Sequence, residues 1–123
     1  MRPPAAPPDT LVQSLLVDPE GTTAGYRISS GGGYHSRTRE RGWSEGRRLT
    51  PEQVAAIERA IGDSGFDALE DRYERRSHEH EPSTLWFQVA RPEGLRTVEV
   101  VGGARVPALE RLTARLTEIV GSA

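Results

Sequence analysis

The chain has 123 residues, enough for one domain with a single core and too few for two. It contains no cysteine, which excludes disulfides, thiolate chemistry and zinc–thiolate sites. All 16 basic residues are arginines, a usage expected of a high-GC bacterial genome, yet the net charge of −2 argues against a protein whose whole surface binds nucleic acid.

The N-terminal segment 1–10 is rich in proline and alanine. Proline removes backbone donors and favours extended conformations, so we expect a disordered or polyproline-like tail, followed by one domain over residues 11–123. The segment lacks a charged-then-apolar leader, and the apolar run Leu11–Val17 is far shorter than the roughly 20 residues of a membrane span. We therefore expect a cytoplasmic protein that does not associate with membranes.

Strands are predicted in the first third of the chain. Leu11–Val17 is the first, and Asp18–Gly21 has the proline and glycine of a tight turn. Thr22–Ser30 then pairs back. Three glycines, 31–33, mark a hairpin turn or bulge, and beyond them Tyr34–Trp43 alternates as a half-exposed strand would.

A helix is predicted to begin after Thr50. This residue suits the N-cap, Pro51 suits the first helical position, and Gln53 can close a capping box. Apolar residues then recur at helical spacing as far as Ile61. The same spacing continues through Phe66, Leu69 and Tyr73, which predicts a further short helical turn.

The second half of the chain predicts a hairpin and a last helix. The hairpin spans Leu85–Val101 with a turn at Arg91–Gly94, and the helix runs from Pro107 to Gly121. Together these elements predict an α+β fold. We expect a four- to five-stranded, mainly antiparallel sheet with both helices packed on one face, because one-sided coverage fits alternating strands.

The segment His78-Glu79-His80 could bind a metal ion, with His35 as a third ligand, because residues two apart on a strand share a face. The surrounding run is highly charged, however, and favours a solvated loop. We assign no metal ligand and no cofactor. No motif joins a nucleophile or a carboxylate pair to a histidine, so no catalytic residue is assigned and we expect a protein that is not an enzyme.

The segment 37–48 is rich in arginine and gives a second alternative. Arg37, Arg39 and Arg41 alternate along a predicted strand close to Trp43, as a nucleic-acid-binding face would require. Glu40 and the net acidic charge argue against nucleic acid, and an edge strand protected by charge explains the same residues.

Five short motifs follow one another along the domain: Ser30–Tyr34, Leu49–Glu52, Gly65–Leu69, Leu85–Val101 and Pro107–Leu116. Their order resembles the emfourin family, small bacterial proteins that inhibit thermolysin-type metallopeptidases. The charged loop Arg72–Pro82 departs from that pattern.

The resemblance implies a non-catalytic protein-binding module that blocks a protease cleft. The hairpin of Gly31, Gly32, Gly33 and Tyr34 is the contact it implies. Tyr34, Trp43 and Trp86 are candidate anchors, because buried aromatic residues dominate the energy of protein interfaces, and Trp43 is the one expected to be exposed. We therefore predict a protein partner, with a metallopeptidase as its narrower form.

Overall fold

The computed structural model describes residues 3–21, 23–44, 46–75 and 82–121. These residues form eight strands, two α-helices and one short 3-10 helix, Phe66–Ala68. In chain order the strands and helices are β1 (Thr10–Val17), β2 (Thr23–Ser29), β3 (Gly33–Thr38), β4 (Gly42–Trp43), β5 (Arg47–Arg48), α1 (Pro51–Asp63), β6 (Arg72–Glu74), β7 (Thr84–Arg91), β8 (Gly94–Val101) and α2 (Pro107–Gly121).

All strands of the described residues belong to one mixed sheet. Its order is β4-β3-β2-β1-β7-β8-β6, and β5 pairs with β3 beside β4. The pairings are antiparallel except that of β6 with β8, which is parallel. The long strands β1 and β7 therefore lie at the centre of the sheet.

The prediction of four to five strands is wrong, because the described residues form eight, although the class α+β is confirmed. Three strands were missed because β4 and β5 have two residues each and β6 has three, too few for any alternation to show. A turn at residues 39–41 divides the predicted strand Tyr34–Trp43. Tyr73, predicted in a helical turn, lies on β6.

The helix α1 begins as the sequence predicts. The Thr50 hydroxyl accepts a hydrogen bond from the Gln53 backbone at 3.1 Å, and the Gln53 side chain accepts one from the Thr50 backbone at 2.8 Å. This reciprocal pair satisfies two backbone donors that the first turn leaves free. The helix therefore starts at a defined residue and presents Val54, Ile57 and Ile61 to the core.

Both helices contribute to one core on one face of the sheet. Leu112 and Leu116 of α2 join the buried residues of α1 and pack with Ile28 and Phe87 of the strands. Each such side chain contributes about 1.5–3 kcal/mol when fully buried. Within the described ranges, neither helix is long and apolar enough to cross a membrane.

The turn between β2 and β3 is tied to the start of α1. Gly32 has φ +97°, and a Cβ there would lie 2.9 Å from the Leu49 carbonyl oxygen, so glycine is required on both counts. Its own carbonyl accepts a hydrogen bond from the Leu49 backbone at 2.7 Å. The glycine hairpin is thus a rigid part of the fold.

Candidate binding face

The strand register places alternate side chains on two faces of the sheet. One face carries the core and both helices. The other, which we call the open face, carries two rows of cross-strand neighbours. The first row is His35, Arg27, Gln13, Gln88 and Thr97; the second is Trp43, Arg37, Gly25, Leu15, Trp86 and Glu99.

Trp43 lies at one end of the open face between two arginines. The Arg27 guanidinium carbon is 4.3 Å from the centre of the indole ring, and that of Arg37 is 5.7 Å away. Each cation–π contact of this kind contributes about 0.5–1 kcal/mol at an exposed site. These contacts hold the half-buried ring in a defined position.

The charges of these two arginines are not neutralised within the described part of the chain. No ion pair joins Arg27 or Arg37 to a carboxylate there, whereas Arg39 is bound to Asp18 at 2.8 Å. The Nε of Arg37 is shielded from solvent and makes no hydrogen bond with any residue that the structure describes. The open face therefore offers guanidinium groups that can bind an anionic group of another molecule.

Two fully buried glutamines lie at the centre of the same face. Gln13 and Gln88 are 0% and 2% exposed. The Gln13 Nε2 donates to the Gln88 Oε1 at 2.9 Å and to the Ala5 carbonyl oxygen at 3.2 Å. The Gln88 Nε2 donates to the Pro4 carbonyl oxygen at 3.0 Å and to the Thr97 hydroxyl at 3.4 Å. Both amides thus bind the backbone of the proline-rich N-terminal segment.

A turn directs that segment onto the open face. The Thr10 backbone donates to the Pro7 carbonyl at 3.0 Å, and the Ser30 backbone donates to the Asp9 carbonyl at 2.8 Å. Proline at the second position favours such a turn, and Pro8 occupies it. The chain reverses there, so residues 4 and 5 reach the glutamines of β1 and β7.

At and beside the glutamine pair, two buried polar atoms have no hydrogen-bond partner among the described residues: the Gln13 Oε1 and the Trp86 Nε1. Trp86 is 4% exposed and is the cross-strand neighbour of Leu15, beside the glutamine pair. A buried polar group that loses its water without gaining a partner costs about 1–3 kcal/mol. The surroundings of the glutamine pair can therefore accept one more hydrogen bond, at the Gln13 Oε1, and donate one more, from the Trp86 Nε1.

The residues predicted to contact a partner do not form one surface. Gly31 is exposed at the hairpin turn, and Gly33 begins β3. Tyr34 lies on the helix face, where its ring stacks on that of Tyr26 with centres 6.2 Å apart. Trp43 lies on the opposite, open face. Three positions separate Tyr34 from Arg37, the neighbour of Trp43, and an odd separation on a strand reverses the face.

A pocket of about 230 Å³ lies beside Tyr26 and Tyr34, next to Leu116 and Val120 of α2. Burial raises the pKa of the Tyr26 phenol well above its ordinary value, and the nearby Tyr34 adds to the rise. Among the described residues the hydroxyl has no hydrogen-bond partner of normal geometry. The side chain of Ser14, its cross-strand neighbour, lowers the pKa of Tyr26 by less than burial raises it. Tyr26 therefore stays neutral in the folded protein at physiological pH.

The metal alternative rests on residues that lie largely outside the described ranges, since His78 and His80 fall between 75 and 82. His35 is described, and its Nδ1 lies 3.2 Å from the Ser44 carbonyl oxygen. Within the ranges that the structure covers, no group of three or more histidine, aspartate or glutamate residues could hold a metal ion.

The arginines of segment 37–48 do not form a continuous basic surface. Arg39 is bound to Asp18, and Arg47 donates to the Val120 carbonyl and lies over the Tyr34 ring at 5.5 Å. Arg37 lies against Trp43 instead. The segment thus divides its charges between different parts of the molecule, unlike a phosphate-binding track.

Sequence reasoning overlooked the glutamine pair. The available signal was a polar amide within each of two otherwise apolar strands, at Gln13 and at Gln88. Buried polar side chains are informative because they must find partners.

Comparison of the chain with known proteins finds no relative: no family model, no curated protein and no solved structure matches it. The resemblance to emfourin-like inhibitors therefore stays a prediction from sequence motifs.

Proposed function

We propose that this protein is a non-catalytic protein-binding module that uses the open face of its sheet. The observation that carries the proposal is Trp43, held between Arg27 and Arg37 on the side of the sheet away from the helices.

The chemistry of this cluster is that of an interface anchor. Tryptophan and arginine are the residues most enriched among those that dominate binding energy. A side chain already ordered before binding loses less conformational entropy when the partner arrives. Trp43 is ordered by two cations, and neither Arg27 nor Arg37 is engaged by a carboxylate of the described residues. A partner that places an acidic group beside an apolar side chain would bind both arginines and the Trp43 ring together.

The narrower form of the proposal is inhibition of a thermolysin-type metallopeptidase in the bacterial cytoplasm. It is supported by the resemblance of the motifs from Ser30 to Leu116 to emfourin-like inhibitors. Stoichiometric blocking of a cleft requires a rigid surface, and it requires no acid–base pair. The glycine hairpin remains the contact that this resemblance predicts.

The test is a titration of peptidase activity with the full chain and two variants. Trp43→Ala removes the anchor of the open face, and Gly31→Arg places a long side chain on the exposed hairpin turn, where a Cβ meets no atom within 4 Å. We expect the wild-type chain to abolish peptidase activity at a one-to-one ratio. Trp43→Ala should weaken this inhibition about tenfold or more, because such anchors contribute about 2 kcal/mol or more.

The same titration separates the two predicted contacts. If Gly31→Arg abolishes inhibition and Trp43→Ala does not, the hairpin is the contact and the open face is not. If the wild-type chain leaves the peptidase fully active, the inhibitor form is wrong.

A further inference from the structure

We propose that the open face binds proline-rich peptide segments through Gln13 and Gln88, and that the chain's own N-terminal segment is a built-in competitor for this site. The proposal rests on the proposed function, because it names the chemistry of the partner that the same face would recognise.

The two glutamines are placed to bind a peptide backbone. Their side-chain nitrogens donate to the carbonyl oxygens of two successive residues, Pro4 and Ala5, at 3.0 and 3.2 Å. Both side chains are almost fully buried and are held by each other at 2.9 Å. Donors fixed in this way recognise carbonyl groups without reference to the ligand's side chains.

A proline-rich segment is the ligand that suits such donors. Proline has no backbone N–H, so it cannot extend a sheet by strand pairing. In the extended conformation that proline favours, the carbonyls make no internal hydrogen bonds and remain available. Recognition of these segments elsewhere uses aromatic surfaces of the kind that the half-buried Trp43 supplies on this face.

The chain's own segment occupies the site in cis. The turn at Pro7–Thr10 tethers it next to the glutamines, which gives it an effective concentration that an unlinked peptide must overcome. It nevertheless leaves the Gln13 Oε1 and the Trp86 Nε1 without hydrogen-bond partners in the described ranges. An incoming segment that supplies one backbone N–H and one more carbonyl would satisfy both atoms and displace the tail.

The test uses the full chain labelled with nitrogen-15 and a capped peptide with the sequence of residues 3–9. A second peptide, in which glycine replaces every proline, is the control ligand. In a tail variant of the full chain, Pro3, Pro4, Pro7 and Pro8 are changed to glycine. A flexible tail competes less, so we expect the variant to bind the proline peptide about tenfold more tightly than the wild type.

The expected signature is a shift of the Gln13 and Gln88 side-chain amide signals, caused by the proline peptide and not by the glycine peptide. Gln88→Met in the tail variant should weaken binding about tenfold or more. Should this variant fail to fold, Thr97→Val tests the same site, because the Thr97 hydroxyl accepts a hydrogen bond from the Gln88 amide at 3.4 Å. We expect Thr97→Val to weaken binding severalfold.

Equal affinity of both peptides, equal affinity of wild type and tail variant, or shifts confined to the Tyr26–Tyr34 pocket would each overturn this inference. The outcome is separable from that of the proposed function. If a peptidase partner depends on Trp43 while the peptide causes no shift, the proposed function stands and this inference fails.

Discussion

Replacement of the buried glutamine pair gives the sharpest test of how the open face is built. We consider Gln13→Met, Gln88→Met and the double variant, because methionine keeps the length of the side chain without its polar atoms. Gln88→Met removes contacts to Pro4, Thr97 and Gln13 and leaves one N–H of Gln13 without an acceptor. The net loss is about 2 kcal/mol of unfolding free energy, from about 0.5–1.5 kcal/mol for each bond.

Gln13→Met should cost less, about 1 kcal/mol. It breaks two hydrogen bonds and leaves the Gln88 Oε1 without its donor, but it also removes the Gln13 Oε1, which is buried without a partner among the described residues. In the double variant no polar atom of the pair remains, and replacement of both partners by apolar groups is nearly neutral for their mutual bond. We expect a cost of about 1.5 kcal/mol, which is about 1.5 kcal/mol less than the sum of the single changes.

Urea unfolding followed by tryptophan fluorescence measures these differences, provided that the slope with denaturant is unchanged. A loss of 1 kcal/mol corresponds to about 4 °C in Tm for a domain of this size. If the destabilisation of the double variant equals the sum of the two single values within about 0.5 kcal/mol, the glutamines do not act as a pair and the description of the site is wrong.

Four further changes test other parts of the fold. Gly25→Ala should cost at least 2 kcal/mol or prevent folding, because the new Cβ would lie 1.9 Å from a carbonyl oxygen of β1 at φ +154°; Gly62→Ala, where a Cβ meets nothing within 4 Å, should instead stabilise α1 by about 0.5 kcal/mol in thermal unfolding. Thr50→Ala removes the capping hydroxyl and should cost about 1 kcal/mol in the same assay. Because the pKa of Tyr26 is raised on folding, its contribution to stability is full below pH of about 10 and is lost as the pH rises further; Tyr26→Phe should therefore flatten the fall in stability between pH 9 and 11 in urea titrations, and an unchanged slope would contradict the assignment.

Local signals in the sequence predicted the helices well. The capping box at Thr50 and Gln53 involves residues three apart, and the apolar stripe of α1 repeats within one segment, so both are visible without a structure. The hairpin of β7 and β8 follows from alternation and a turn for the same reason. These features depend on residues that are close together in the chain, so they can be recognised from the sequence alone.

The site depends on residues that are distant in the chain. Gln13 and Gln88 are separated by 75 positions, and their neighbours follow from the pairing of β1 with β7. Trp43 was predicted as an anchor, but its stacking on Arg27 requires β4 to fold back beside β3 after a turn. Strands of two or three residues carry no periodicity, so this arrangement could not be predicted.

Photo-crosslinking tests the central claim, that the open face is the protein-binding surface, most directly. A benzophenone amino acid at position 43 keeps an aromatic ring on the open face, and the same group at Arg111, an exposed residue of α2, is the control on the opposite side. In bacterial lysate we expect a discrete one-to-one protein adduct from position 43, suppressed by excess unlabelled wild-type chain but not by the Trp43→Ala variant. Adducts from position 111 alone, or none from position 43, would contradict the account.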